Sequence, residues 1–300
     1  MEAWEEQAAR NRNRWRAALL VLMTLGGAAG VGYALGLAVG AGTVGLLVGL
    51  GLAALGSLAS VLSGSRLVLW AAGARPVGPD EERRLHNVVE GVAAAAGLPK
   101  PAVYLVDEKA PNALATGRDP AHASLAVTRG LLELLNRLEL EGVVAHELAH
   151  VRAGDTLPGT LAATLVGWVV LLAERFLRPL WWGRRRDGAA EGSVLLVPVG
   201  LVLALLSPLV ALGIRAALPA RREERADLAG ALLTRYPPGL ASALRKVAAD
   251  HTPMRVVNNA TAHLWLRQPS RVPGQGLHWF ERLFTTHPPI WDRVRHLEEM

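Results

Sequence analysis

Residues 17–65 carry no charged side chain. At 1.5 Å per residue that run makes roughly 73 Å of helix, enough to cross a hydrocarbon core of about 30 Å twice. The pattern predicts a hairpin of two membrane helices, about Ala17 to Val39 and Thr43 to Ser63, turning at Gly40-Ala41-Gly42. Gly26/Gly30, Gly32/Gly36/Gly40 and Gly45/Gly49 recur at the helical spacing that lets two backbones approach in lipid, although a bias toward glycine and alanine describes them equally well. A secretory signal would have a far shorter apolar core followed by a cleavage site. Two later uncharged runs, Thr156 to Ala173 and Gly192 to Ile214, predict a second hairpin. The first of these is short for a crossing and reads also as a buried helix of a soluble domain. The polar stretches on either side are each too short to be complete. The expected division is therefore a basic arm over 1–16, a hairpin over 17–63, a first half-domain over 76–155, a second hydrophobic hairpin over 156–214 and a second half-domain over 219–300.

Within the first polar half, Glu81 to Ala96 places Leu85, Val88, Val89 and Val92 on one helical face and stops at Gly97-Leu98-Pro99. Gly73 to Pro79, with two prolines and two glycines, reads as a linker. Val103 to Val106, Ala113 to Thr116 and Ser124 to Thr128 are strand candidates for a small sheet, and helical periodicity returns from Gly130, with a further helix starting near Glu139.

Composition agrees with a membrane-embedded chain. Hydrophobic residues make up 51% and charged residues 19%, against roughly 25% charged in a typical globular domain. A disordered chain is excluded, and the absence of cysteine excludes a disulfide scaffold. The formal charge of +6 comes from arginines beside apolar segments, which points to membrane orientation and away from nucleic acid. Arg10, Arg12, Arg14 and Arg16 precede the first span, and Arg66 and Arg75 follow the second, so both ends of the hairpin, the 1–16 arm included, are expected in the cytoplasm.

The most informative segment is His146-Glu147-Leu148-Ala149-His150. Residues four apart share a helical face, so both imidazoles can aim at one ion with Glu147 beside them. Zinc in catalytic sites takes three protein ligands and a water, which a neighbouring carboxylate can deprotonate. Two solvent-facing histidines on an amphipathic helix are the plainer alternative. A third histidine six positions after His150 would give one familiar arrangement, but that position is Thr156. The other arrangement takes a carboxylate from a second helix, with an acidic residue one turn on bonding the far nitrogen of a liganding histidine. Glu223-Glu224-Arg225-Ala226-Asp227 could supply it, and by itself that segment reads equally well as a solvated charged helix. Spacing permits Asp227 to pair with either glutamate; Ala220, Ala226, Ala229 and Gly230 put small residues on the face beside Asp227. A thiol nucleophile is impossible without cysteine, and no Gly-x-Ser-x-Gly elbow is present.

His146-Glu-Leu-Ala-His150, the upstream Pro111-Asn-Ala-Leu-Ala-Thr-Gly-Arg118, Arg222-Glu-Glu-Arg-Ala-Asp227, Asn259-Ala-Thr-Ala-His-Leu264 and Thr286-His-Pro-Pro289 stand in an order that, with two apolar spans before the domain and two within it, resembles the membrane zinc metalloproteases of the HtpX type in the peptidase M48 group. The resemblance implies an α+β fold: a mainly helical gluzin-like zinc protease domain with a small β-sheet, plus two transmembrane helical hairpins. It implies a multi-pass endopeptidase of the bacterial inner membrane, active site facing the cytoplasm, that degrades misfolded or damaged membrane proteins in stress response and quality control. His146, His150 and Glu223 match its zinc ligands, one Zn2+ per chain, Glu147 its general base, and Asp227 the residue orienting a ligand histidine. Asn112, Ala113, Leu114, Ala115 and Thr116 match the cleft edge on which a protein or peptide substrate adds as an extended strand. His287 is a candidate hydrogen-bond donor to the oxyanion, with a structural turn the alternative. His263 could take that part or pack under the site, and Asn112 could be a turn residue only. Arg225 stands where a small or aliphatic residue is usual and Leu114 where an aromatic is usual, the latter bearing on the cleft.

One metal held by His146 and Glu223 needs both helices on the same side of the bilayer, which puts Arg178 and Arg184-Arg185-Arg186 outside, against the positive-inside tendency. Either the first hairpin dominates insertion or Thr156 to Ala173 does not cross. Two other functions remain from the sequence: an intramembrane metalloprotease, against which the flanking Glu139, Glu141, Arg152 and Asp155 argue, and a catalytically idle zinc-binding membrane sensor or scaffold, whose metal would be closed by a fourth protein ligand.

Overall fold

The computed structural model describes residues 3–165, 167, 217–255, 261–268 and 288–300. His287 and, of the second apolar hairpin, residues 166 and 168–214 lie outside the described residues.

Two long helices, α1 (Ala3–Ala38) and α2 (Gly42–Ala71), form the expected hairpin. Gly40, at φ +74°, makes the turn between them, a conformation glycine adopts without penalty. The close approach of the two backbones involves Gly32, Gly36, Gly45 and Gly49, where an added Cβ would run into the facing helix's backbone or the turn, whereas Gly26 and Gly30 face open space. Both helices are long and apolar enough to span a membrane. Trp15 and Trp70 are exposed at the end where the hairpin joins the rest of the protein, the place such rings take at a bilayer surface. Residues 3–16 continue α1 without a break.

Four strands follow: β1 (Ala74–Pro76), β2 (Ala102–Val106), β3 (Ala113–Gly117) and β4 (Ala123–Thr128), in spatial order β1-β2-β4-β3. β1 lies in the segment read as a linker; proline is tolerated there because β1 is an edge strand, antiparallel to β2. β2 and β4 run parallel, and β3 returns antiparallel to β4 as the other edge. Alternate side chains point to opposite faces. Val103, Leu105, Ala113, Ala115, Leu125 and Val127 enter the main core with α3 (Arg83–Ala96), while Val106, Leu114 and Ala126 pack against Val68, Leu69 and Ala72 at the end of α2. The sheet is thereby buried on both faces, one of them by the membrane hairpin.

After α4 (Arg129–Leu134), helix α5 (Arg137–Ala153) opens with a capping box, the Asn136 side chain accepting from the Glu139 backbone and Glu139 from that of Asn136. It closes at Gly154, φ +71°. Residues 156–165 are helical and largely buried, Leu161, Ala162 and Leu165 meeting Ala17 and Leu20 of α1. The C-terminal half supplies α6 (Arg221–Thr234), α7 (Pro237–Ala249) and α8 (Ile290–Glu298). One core takes Val77 to Val151 from the first half and Ala231 to Leu297 from the second.

Candidate metal centre

α5 and α6 cross at glycine. A Cβ on Gly230 would lie 2.9 Å from the His146 backbone nitrogen, so only a residue without a side chain lets the helices come this near. The approach brings Glu223, 1% exposed, against the histidine face of α5, while Glu224 points to solvent. His146 Nε2 lies 3.6 Å from Glu223 Oε2 and His150 Nε2 3.7 Å from Glu223 Oε1. The three residues each offer a donor within 4.8 Å of the others. Donors bound at about 2.0–2.1 Å around a tetrahedral ion stand about 3.3 Å apart, so the two nitrogens and the carboxylate are placed for one ion with small adjustment. Glu147 lines the same cavity, as do Ala115, Leu264 and Trp265.

Each histidine is oriented from behind. Asp227 Oδ1 lies 2.8 Å from His146 Nδ1, and Asp155 Oδ2 lies 3.1 Å from His150 Nδ1. Arg293 of α8, 2% exposed, donates to both oxygens of Asp227 at 2.8 Å and to the Leu266 carbonyl at 3.0 Å. Against burial, which would raise it, Arg293 and His146 hold the Asp227 carboxyl down at about 2. Burial would lower His150, but Glu223 and Asp155 lift it to about 10; burial would lower His146 too, and Asp227 and Glu223 raise it above the ordinary imidazole value. Burial pushes the Glu147 carboxyl up, opposed by the histidines beside it.

The expected cleft residues separate. Asn112 is spent on the chain itself: its amide donates to the Arg267 carbonyl at 2.8 Å and accepts from the Arg267 backbone at 3.1 Å. The Ala113 carbonyl accepts from Leu266, and Leu114 bridges to Trp265. This half of the β3 edge is therefore covered by residues 265–267. Leu114 is fully buried toward α2, so its departure from an aromatic does not reach the cavity. Thr116 is buried with its hydroxyl on Thr160, 2.7 Å away. Ala115 is the member of the strand that faces the histidines. His263 is buried, its ring on the Gly159 carbonyl at 3.1 Å and its own carbonyl accepting from Arg222 at 2.7 Å, which places it beneath the site.

A model of peptidase family M48 matches residues 79–300, which run from just after β1 to α8. The chain belongs to peptidase family M48. Within the family, a protease HtpX homolog of Thermoanaerobacter pseudethanolicus is 46% identical over 239 residues, 78% of each chain, and one of Pyrococcus abyssi is 42% identical over 274 residues, 90% of each. A crystal structure of Ste24p from S. mikatae aligns with 80% of this chain at 15% identity and TM-score 0.44, and this chain spans about half the length of that one, 55%. This M48 member is a membrane metalloprotease whose His-His-Glu cluster can hold a metal.

Asp155, Arg222 and Arg293 escaped the sequence reading. Asp155 had a signal: it follows Gly154, whose left-handed turn folds the chain back on His150, its backbone nitrogen bonding the His150 carbonyl. Arg293 had none, since a buried guanidinium on a terminal amphipathic helix looks in sequence like any solvated arginine.

Proposed function

We propose that this M48 protein is a zinc endopeptidase of the bacterial inner membrane, with its active site on the cytoplasmic side, that cleaves misfolded or damaged membrane proteins. The convergence of His146 Nε2, His150 Nε2 and the Glu223 carboxylate carries the reading. Among the described residues the donors are three, two nitrogen and one carboxylate, the set a catalytic zinc takes, one ion per chain, where a closed structural site takes four. Resemblance to the HtpX homologs supports the quality-control role and the inner membrane, and the arginines flanking the first hairpin support the cytoplasmic side. Residues 156–214 are proposed as a second hydrophobic hairpin inserted in the split protease domain.

When bound there, zinc supplies Lewis-acid activation of water and of the scissile carbonyl. Glu147 takes the proton from the attacking water and returns it to the leaving amine; burial raises its carboxyl from the ordinary value, which makes it a stronger base. Asp227 and Asp155 fix which histidine nitrogens face the ion. The substrate lies extended beside Ala115, the part of the β3 edge left toward the cavity, with Leu264 and Trp265 shaping the cleft. His287 remains proposed as an oxyanion donor.

Cleavage of a casein-type substrate by the full chain in detergent tests this. Glu147→Gln is expected to lower hydrolysis by roughly 10²–10⁴-fold with zinc still bound, and chelator to abolish wild-type cleavage. Full activity in either case contradicts the mechanism.

A further inference from the structure

Asn13 lies in the run Arg12-Asn13-Arg14 of α1, a stretch that by composition belongs in water, yet it is 2% exposed. Its Nδ2 donates to Asp155 Oδ1 at 2.6 Å and to the Ala153 carbonyl at 3.0 Å, and its Oδ1 accepts from Arg16 at 3.0 Å. Arg10 donates alongside to the Arg152 carbonyl at 2.9 Å. The last carbonyls of α5, which lack partners within their own helix, are thus met by side chains of the membrane helix. The other Asp155 oxygen is the one that bonds His150 Nδ1. Two hydrogen bonds, Asn13 to Asp155 and Asp155 to His150, therefore run from the helix that enters the bilayer to a residue of the metal cluster.

We propose that Asn13 is a positioning residue of the metal centre: by holding one oxygen of Asp155 it fixes the other against His150, so that docking of α1 sets the geometry of a ligand. The proposal rests on the reading of His150 as a zinc ligand. A carboxylate is free to turn about its last bond and exchange its oxygens; with Asn13 donating to one, only the second is left for His150, and the imidazole is held with Nε2 toward Glu223. Asn13 stands two residues before Trp15 and four before the charge-free stretch. The metal centre is thereby tied to the membrane surface, and it is complete only with the hairpin in place.

Zinc affinity of the full chain in detergent, measured by competition with a chromogenic chelator, tests this in a double-mutant cycle. Removing a group that orients a ligand costs about 10–100-fold, so Asp155→Ala is expected in that range and Asn13→Ala, one bond further out, at about 3–10-fold. The double variant should be no weaker than Asp155→Ala alone, since both act through one carboxylate. Arg10→Ala removes one neighbouring contact of the helix, to the Arg152 carbonyl, while Asn13 keeps α1 docked on Ala153 and Asp155, and should leave zinc affinity at the wild-type value. Asn13→Asp, which sets a like charge against Asp155, should weaken zinc at least as much as Asn13→Ala, and serves if the alanine variant does not fold. Wild-type affinity in Asn13→Ala and Asn13→Asp, additive losses in the cycle, or equal losses in Asn13→Ala and Arg10→Ala would overturn the proposal. A wild-type chain that takes up no zinc would overturn the metal-site reading itself, and this one with it.

Discussion

The Asp227 carboxylate lies 2.8 Å from Nδ1 of His146, with the Arg293 guanidinium clamped across its two oxygens. An aspartate beside a histidine raises the basicity of the far ring nitrogen and fixes its direction; the arginine keeps the buried aspartate charged.

Asp227→Ala is expected to weaken zinc binding by roughly 10–100-fold. Arg293 loses its bidentate partner and keeps the Glu223 carboxylate at 3.5 Å, so the added fold penalty is at most about 3–5 kcal/mol, the cost of a broken buried ion pair. Chelator competition and thermal unfolding in detergent measure the two effects; unchanged zinc affinity would remove Asp227 from the site.

The helix spacing predicts a second outcome. Gly230→Ala places a methyl 2.9 Å from the His146 backbone nitrogen and 3.1 Å from its Cα, and backbone cannot step aside as a flexible side chain can. α6 must move off α5, taking Glu223 with it. Overpacking of this kind costs about 1–3 kcal/mol, partly offset by the helix preference of alanine, and zinc retention should fall more than unfolding temperature. A variant with wild-type zinc affinity would show that the contact does not set the ligand distance.

Much of this was legible because periodicity and spacing are local. The charge-free run marked the hairpin, short runs bounded by turn residues marked β2, β3 and β4, and His146 and His150 four apart marked the cluster. Glu223 and Glu224 could not be separated by spacing; burial of the first and exposure of the second separate them in the fold. Asn112 matched a cleft residue, but its amide completes an edge against Arg267, a pairing 155 residues apart that no local pattern encodes. Arg293 and Asn13 were hidden for the same reason: each is a polar residue in a polar stretch, buried only because a distant element covers it.

Glu139 gives the pH dependence. It accepts from Asn136 at 2.8 Å, Ser242 at 2.6 Å and Lys246 at 2.8 Å. Burial would raise its pKa, but these partners outweigh burial and lower it below the usual 4.5. A depressed carboxylate contributes stability above its unfolded pKa and loses it as pH falls through the folded value. Glu139→Gln should destabilise the metal-free protein by about 1–3 kcal/mol at neutral pH, with the gap to wild type closing below about pH 4.5. Thermal unfolding in chelator across pH 7 to 3 reads this directly, and a gap that stays constant with acid would contradict it.

Metal content after dialysis tests the central claim most directly, with purified full chains of wild type, Glu223→Ala and Glu224→Ala compared side by side. The account predicts one zinc per chain in wild type and Glu224→Ala and none in Glu223→Ala, with peptide cleavage following the metal. Zinc retained in Glu223→Ala and lost in Glu224→Ala would contradict it.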